Sequence, residues 1–173
     1  AGAVAITGAN SSTFQPSAAN VGSTFYFCEI SFSFGGCSSI SSNISNQTVV
    51  ADPIISVEPQ ATQSICIGGT IPAALSVTVT GGTGAITYQW FAGTNQVSGA
   101  TQSTFLPSNF NTPGTFLFTA NISISGVGCD ALVSQPAQVI VVDDPSVTQP
   151  LAAVYCQNAS PIAPLQVNVS GGL

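Results

Sequence analysis

The sequence predicts an all-β chain built from tandem β-sandwich domains, on three observations. Runs of alternating apolar and small polar residues are bounded by Gly, Pro, Asn and Asp clusters at roughly ten-residue spacing, as half-buried strands joined by tight turns are. No stretch sustains the 3.6-residue period of an amphipathic helix. The chain also matches itself at a displacement of about 91 residues, the length of one small sandwich domain rather than of a solenoid turn.

The self-match sets the domain organisation. Ile6 to Ser17 aligns with Val97 to Ser108, with Gly-Ala, Ser-Thr-Phe and Pro-Ser coinciding. Thr24-Phe25-Tyr26-Phe27 falls on Thr115-Phe116-Leu117-Phe118, and Cys37 meets Cys129 after a one-residue slip. Val49-Val50-Ala51-Asp52-Pro53 falls on Val141-Val142-Asp143-Asp144-Pro145. Beyond that boundary Cys66 matches Cys156, Leu75 to Val79 matches Leu165 to Val169, and Gly81-Gly82 matches Gly171-Gly172. The expected layout is therefore the C-terminal part of one unit over 1–52, a complete unit over 53–144, and the N-terminal part of a third over 145–173. A start in mid-repeat is what a piece cut from a longer array would have.

Taken in order, Ser12 to Pro16 reads as a short strand closed by proline. Thr24 to Phe34 alternates as a half-buried strand does, with a change of phase near Cys28-Glu29 that predicts a bulge. Gly35-Gly36 turns the chain, and Ser39 to Val50 returns as the last strand of the first unit. Ala51-Asp52-Pro53 closes it, because proline ends a strand and stiffens a short linker. In the complete unit the predicted strands are Ile54 to Glu58, Ser64 to Ile67, Ala74 to Thr80, Ala85 to Phe91, Gln96-Val97, Ser103 to Leu106, Thr115 to Ser125 and Leu132 to Val142. Tyr88 and Trp90 share a face of one strand, and Phe105, Phe116 and Phe118 complete the expected aromatic core. Trp90, the only tryptophan, stands in the third long strand, where immunoglobulin-like sandwiches keep a buried one. The fold class expected is thus tandem immunoglobulin-like sandwiches in an elongated array.

Charge narrows the function. Only Glu29, Asp52, Glu58, Asp130, Asp143 and Asp144 are ionisable acids or bases of the usual kind, and there is no Lys, Arg or His. Charged residues make up 3% of the chain, against about 25% in an ordinary soluble domain. Without cations the chain has no means of neutralising phosphates, so nucleic acid is excluded as a partner by the usual route. Side-chain salt bridges cannot form, and a trypsin-like protease has no site. Missing His and Lys also removes most general bases and covalent nucleophile activators, so no enzyme activity and no cofactor are expected. The one adjacent acid pair, Asp143-Asp144, is a weak Ca²⁺ candidate at the domain junction; the competing reading is a solvated strand end.

The cysteines Cys28, Cys37, Cys66, Cys129 and Cys156 fall at two repeat positions plus one extra. Repeat-locked cysteines in a His-free β chain read as disulfides of an oxidising compartment, with buried free thiols as the alternative. Cys66 and Cys129, alone together in the complete unit, are expected to pair. Closing that loop of roughly 60 residues stabilises by about 4 kcal/mol in the chain-entropy picture. Cys37 and Cys156 then have partners outside the fragment, and Cys28 stands where the next unit has Thr119.

Several motifs together resemble the Ig-like repeats of giant Bacteroidota cell-surface proteins, the family that includes gliding-motility adhesins. They are Cys66-Ile67-Gly68-Gly69-Thr70-Ile71-Pro72, Leu75 to Gly84, Tyr88-Gln89-Trp90-Phe91, Val97 to Thr101 and Gly126-Val127-Gly128-Cys129. The resemblance spans the complete unit and, through the repeat, both partial ones; the total absence of Lys and Arg departs from it. It implies a long filament exported by type IX secretion and displayed outside the outer membrane, serving surface adhesion and gliding. Three readings follow: an adhesin stalk of passive spacers, a structural fibre or sheath whose repeats pack laterally on copies of themselves, and a carbohydrate-binding module using Trp90, Tyr88 or Phe91. The partners expected are neighbouring repeats and a surface or polysaccharide ligand. Apolar outward residues along Thr115 to Ser125 would favour the fibre, and polar ones the stalk.

Overall fold

A computed structural model describes residues 2–173 apart from Phe34 and Gly128. Among the described residues there are sixteen strands and no helix. The chain divides into two compact units, Ala1–Ala51 and Asp52–Leu173. The division lies between Ala51 and Asp52, and residues 145–173 fall within the second unit.

The first unit is a broken hairpin. β1 (Gly22–Tyr26) pairs antiparallel with β4 (Ser45–Val49), and β2 (Glu29–Ile30) pairs with β3 (Ile40–Ser41). The expected change of phase is the gap between β1 and β2 at Phe27-Cys28. Ser12 to Pro16 forms no strand. Its counterpart in the complete unit pairs with a strand whose own counterpart lies outside 1–51, so nothing within the unit holds it extended.

In the complete unit the strands are β5 (Ile54–Val57), β6 (Thr62–Cys66), β7 (Leu75–Ser76), β8 (Thr78–Thr80), β9 (Ile86–Ala92), β10 (Asn95–Gln96), β11 (Thr104–Phe105), β12 (Gly114–Ile124), β13 (Leu132–Val133) and β14 (Ala137–Val142). The larger sheet runs β10-β9-β12-β14-β6, with β13 on the far half of β12. All its pairings are antiparallel except β14 with β6, where Gln138 faces Thr62 and Val142 faces Cys66. The second layer consists of β5 on β8 and β11 on β7, where β7 and β8 are one strand interrupted at Val77. The predicted Leu132–Val142 strand breaks at Ser134-Gln135-Pro136, since proline has no N–H to give a ladder. Past the junction β15 (Ser146–Thr148) pairs with β16 (Asn168–Ser170) as β5 does with β8. Two β-layers, with the unit's last strand β14 lying parallel to its second strand β6, make an immunoglobulin-like sandwich.

Alternation decides what lies between the layers. Trp90, Leu75, Ile122 and Val139 are wholly buried, with Val77, Phe118, Ala120 and Val141 around them. Tyr88, Phe105 and Phe116 pack half-buried against this core. Phe105 bridges Trp90 and Phe118 at ring-centroid distances of 5.7 and 5.8 Å, and Phe110 meets Phe116 edge-on at 5.3 Å. The polar groups that enter the core are all partnered. The Trp90 indole N–H donates to the Gln102 carbonyl at 2.9 Å. Gln63 grips Ala73 at both ends, accepting its N–H at 3.0 Å and donating to its carbonyl at 2.9 Å. Among the described residues no buried side-chain nitrogen or oxygen is left without a partner.

The register corrects one sequence alignment. In the ladders Gly22 faces Val49 as Gly114 faces Val141, and Tyr26 faces Ser45 as Phe118 faces Ala137. Gly22 and Gly114 also share an unusual positive φ of 144° and 151°. Thr24-Phe25-Tyr26-Phe27 therefore corresponds to Phe116-Leu117-Phe118-Thr119, one residue away from the match of letters. Because side chains alternate faces, that one step moves Phe25 and Phe27 from the expected core face to the outer face. Cys28 then corresponds to the buried Ala120, not to Thr119.

Candidate functional site

The large sheet presents a regular outward face. Along β12 the residues pointing away from the core are Thr115, Leu117, Thr119, Asn121 and Ser123. Gln89 stands opposite Asn121 and Thr87 opposite Ser123 on β9, while Gln138 stands opposite Leu117 on β14. Leu117 is the one exposed large apolar residue of that row, at 48%. The same face also carries Phe91 opposite Thr119, Ile140 opposite Thr115 and Val133, 62% exposed, opposite Asn121, so its hydroxyls and amides are interleaved with apolar side chains and no cation. Gln89 is itself engaged, donating to the Val97 carbonyl at 2.8 Å and accepting from Gln96 at 2.8 Å.

Of the aromatic residues expected as a sugar platform, Trp90 and Tyr88 face the core, and Phe91 alone stands on the outer face, opposite Thr119. Trp90 has 0% exposure and no face to offer a ligand. This overturns a carbohydrate module built on Trp90. A shallow, open hollow of about 300 Å³ lies by Ala92, Phe105, Leu106, Phe110 and Phe116. It holds no ionisable group and no convergent polar set.

The two repeat-locked cysteines of the complete unit are far apart. Cys66 ends β6 opposite Val142, beside the Gly114 end of β12 through the Val141–Gly114 pair. Cys129 lies past the other end of β12, with its Sγ 3.5 Å from the backbone nitrogen of Thr83. β12 is eleven residues long, so about 30 Å separates the two sites at the usual rise of roughly 3.3 Å per residue. A disulfide bridges Cα atoms no more than about 7 Å apart. The expected Cys66–Cys129 bond is therefore corrected: both are free thiols, as are Cys28, Cys37 and Cys156. Membership of one repeat does not bring two residues together in space when they stand at opposite ends of its longest strand.

The junction is built on Pro53 and Pro145. Gly82, at φ 71°, lies against Pro53 so closely that a Cβ there would sit 3.2 Å from the proline Cβ. Gly172 repeats this against Pro145 at the same 3.2 Å, with φ 80°. The Gly172 N–H donates to the Asp143 carbonyl at 3.0 Å. The acid pair Asp143-Asp144 thus has one backbone carbonyl already engaged in the turn. Among the described residues no three acidic, Cys or His side chains converge as a cation would need, so the Ca²⁺ candidate acquires no ligand set.

Three comparisons with known proteins bear on the chain. No family model matches it. No curated protein matches it. Seven solved chains do, among them Drosophila OTK, extracellular domains 3-5, at 19% identity and a TM-score of 0.42. That match covers 69% of this chain and 39% of the other, so the chain spans well under half of that structure. The fold assignment here rests on strand order and register, not on this likeness.

Proposed function

We propose that this chain is a stretch of a non-enzymatic extracellular repeat array, acting as the stalk of a cell-surface adhesin in surface adhesion and gliding motility. The observation that carries the reading is the outer face of β12. Thr115, Thr119, Asn121 and Ser123 make it polar, with Leu117 alone among large apolar residues. Along β12 this row disfavours lateral packing, because burying its hydroxyls and amides costs free energy unless each finds a partner; the apolar Phe91, Val133 and Ile140 stand on the neighbouring strands. The core of the unit is closed on itself, so each repeat serves as a spacer.

The charge inventory supports the same reading. A chain free of Lys and Arg gives trypsin-like proteases no cleavage site and draws no polyanion, both of which suit a long filament outside a cell. Its partners are the neighbouring repeats of its own array, while a surface or polysaccharide ligand is met by a tip domain elsewhere. The site of action is outside the outer membrane, to which the filament is attached after type IX export.

Electron microscopy of the native filament tests the proposal. Single beaded strands with one bead per repeat are expected. Regular bundles with a fixed lateral spacing would replace the stalk by a self-assembling fibre or sheath.

A further inference from the structure

We propose that the repeat-locked cysteines join successive units instead of closing one. Cys66 forms a disulfide, across the Asp143–Pro145 junction, with the cysteine of the following repeat that takes the place of Cys129. The inference concerns how the array is held together, and it stands whether the filament is a stalk or a fibre.

Cys66 lies at the junction. It faces Val142 in the parallel β6–β14 ladder, and the next N–H, from Ile67, donates to the Val142 carbonyl at 3.0 Å. The residue after Val142 is Asp143, whose carbonyl accepts the Gly172 N–H at 3.0 Å. The Gly171-Gly172 turn of the following unit is thus fastened within two residues of the position that Cys66 faces.

The second half of the geometry comes from the complete unit. There the counterpart of Gly172 is Gly82, and it seats Cys129: a Cβ on Gly82 would be 3.5 Å from the Cys129 Sγ. The Thr83 N–H points at the same sulfur from 3.5 Å. Gly82 leans on Pro53 as Gly172 leans on Pro145, with the same two closest approaches of 3.2 and 3.5 Å. A thiol seated on Gly172 as Cys129 is on Gly82 therefore comes to the same junction as Cys66. The link of Asp143, Asp144 and Pro145 is only three residues long, and a disulfide takes a Cα separation of about 4.4–6.8 Å.

Both thiols are placed for reaction. Neither is fully buried, and each stands at an end of the sandwich rather than between the layers. Oxidation joins the two sulfurs with loss of one proton from each thiol. The two electrons pass to a small-molecule disulfide such as oxidised glutathione, whose S–S bond breaks to give two thiols. One covalent tie per junction then makes the load path continuous while each sandwich stays free of internal bridges.

The test places a thiol where the geometry calls for one. Leu173 is the counterpart of Thr83, so Leu173→Cys is made in a chain whose Cys28, Cys37, Cys129 and Cys156 are serine. With oxidised glutathione, the monomer is expected to yield a Cys66 peptide linked to the terminal one on chymotryptic mass mapping. Thiol loss should be at least tenfold faster than when Cys66→Ser is added. Equal rates with and without Cys66 would overturn the proposal. A second arm uses the unmodified chain under the same oxidant, in which the monomer should contain no Cys66–Cys129 linkage. Finding that linkage would overturn the proposal as well, whatever the variant does.

Discussion

Ser134 and Ala120 hold each other by two hydrogen bonds: the Ala120 N–H donates to the Ser134 hydroxyl at 2.9 Å, and the Ser134 N–H donates to the Ala120 carbonyl at 2.9 Å. Cys28 and Ser42 repeat the exchange at 2.9 and 2.8 Å. In both units the serine stands where the returning strand leaves the sheet. Its side chain replaces the ladder partner that the break removes. Ser134→Ala strands a buried N–H, which costs about 1–3 kcal/mol. The midpoint of urea unfolding should fall accordingly with an unchanged slope, whereas Ser125→Ala, at an exposed position near the same sheet, should cost less than half as much.

Trp90 combines complete burial with a satisfied indole N–H. Trp90→Ala should cost about 3–5 kcal/mol, the range for removing a large aromatic from a packed core. Trp90→Phe keeps most of the contact but leaves the Gln102 carbonyl without its donor. It should fall between Ala and the parent in thermal unfolding, and quenching of the single tryptophan signal offers an independent view of the parent core.

Gln63 is 4% exposed and answers both polar groups of Ala73. Gln63→Glu keeps the acceptor for the Ala73 N–H, and only its protonated form can still donate to the Ala73 carbonyl. Burial raises the carboxyl pKa of the folded variant above its unfolded value. The variant is then nearest the parent at low pH and loses stability as pH rises through the folded pKa. Comparing unfolding midpoints of parent and variant at acid and neutral pH should show a gap that widens upward; a gap constant with pH would contradict the burial of this side chain.

Gly126 packs against Thr83 so closely that an added Cβ would run into the Thr83 carbonyl oxygen and hydroxyl. The facing Gly84 adopts φ 97°, open to few residues other than glycine. Gly126→Ala should destabilise by about 1–3 kcal/mol through overpacking. It should also shift the reactivity of Cys129, which leans on the same Thr83, toward thiol reagents. Gly93→Ala meets no neighbour within 4 Å and separates the two costs, because only its φ of 59° is strained.

Side-chain ion pairs are absent from this chain by composition. Salt therefore has only the mutual repulsion of six acids to screen. Raising sodium chloride from low to high concentration should leave thermal stability flat or slightly higher, and a clear fall would require attractive charge contacts that the residues do not supply.

Strand placement was legible in the sequence because alternation and turn residues act locally. Ile54–Val57, Ile86–Ala92 and Gly114–Ile124 appear within a residue or so of their expected limits. The core face of β9, with Trp90 and Tyr88, followed from the same period of two. Phe25 and Phe27 were less legible. Matching letters put them on the core strand in phase with Phe116 and Phe118, while a loop one residue shorter before Gly22 reverses their faces. The candidate junction site lay further out of reach, since its members are linked by register and not by neighbourhood in the chain.

By itself the sequence determined the repeat, the all-β class, the absence of cationic chemistry and the choice of Trp90 for the core. These follow from residue types and their spacing, which need no knowledge of which strands meet. Only the tertiary structure decided where the cysteines stand. Whether Cys66 can reach Cys129 depends on β6 running parallel to β14 and on β12 crossing the whole sheet between them, a long-range arrangement that no local signal encodes. Pairing register, fixed by the joint burial of both layers, turned two cysteines of one repeat into residues of opposite ends.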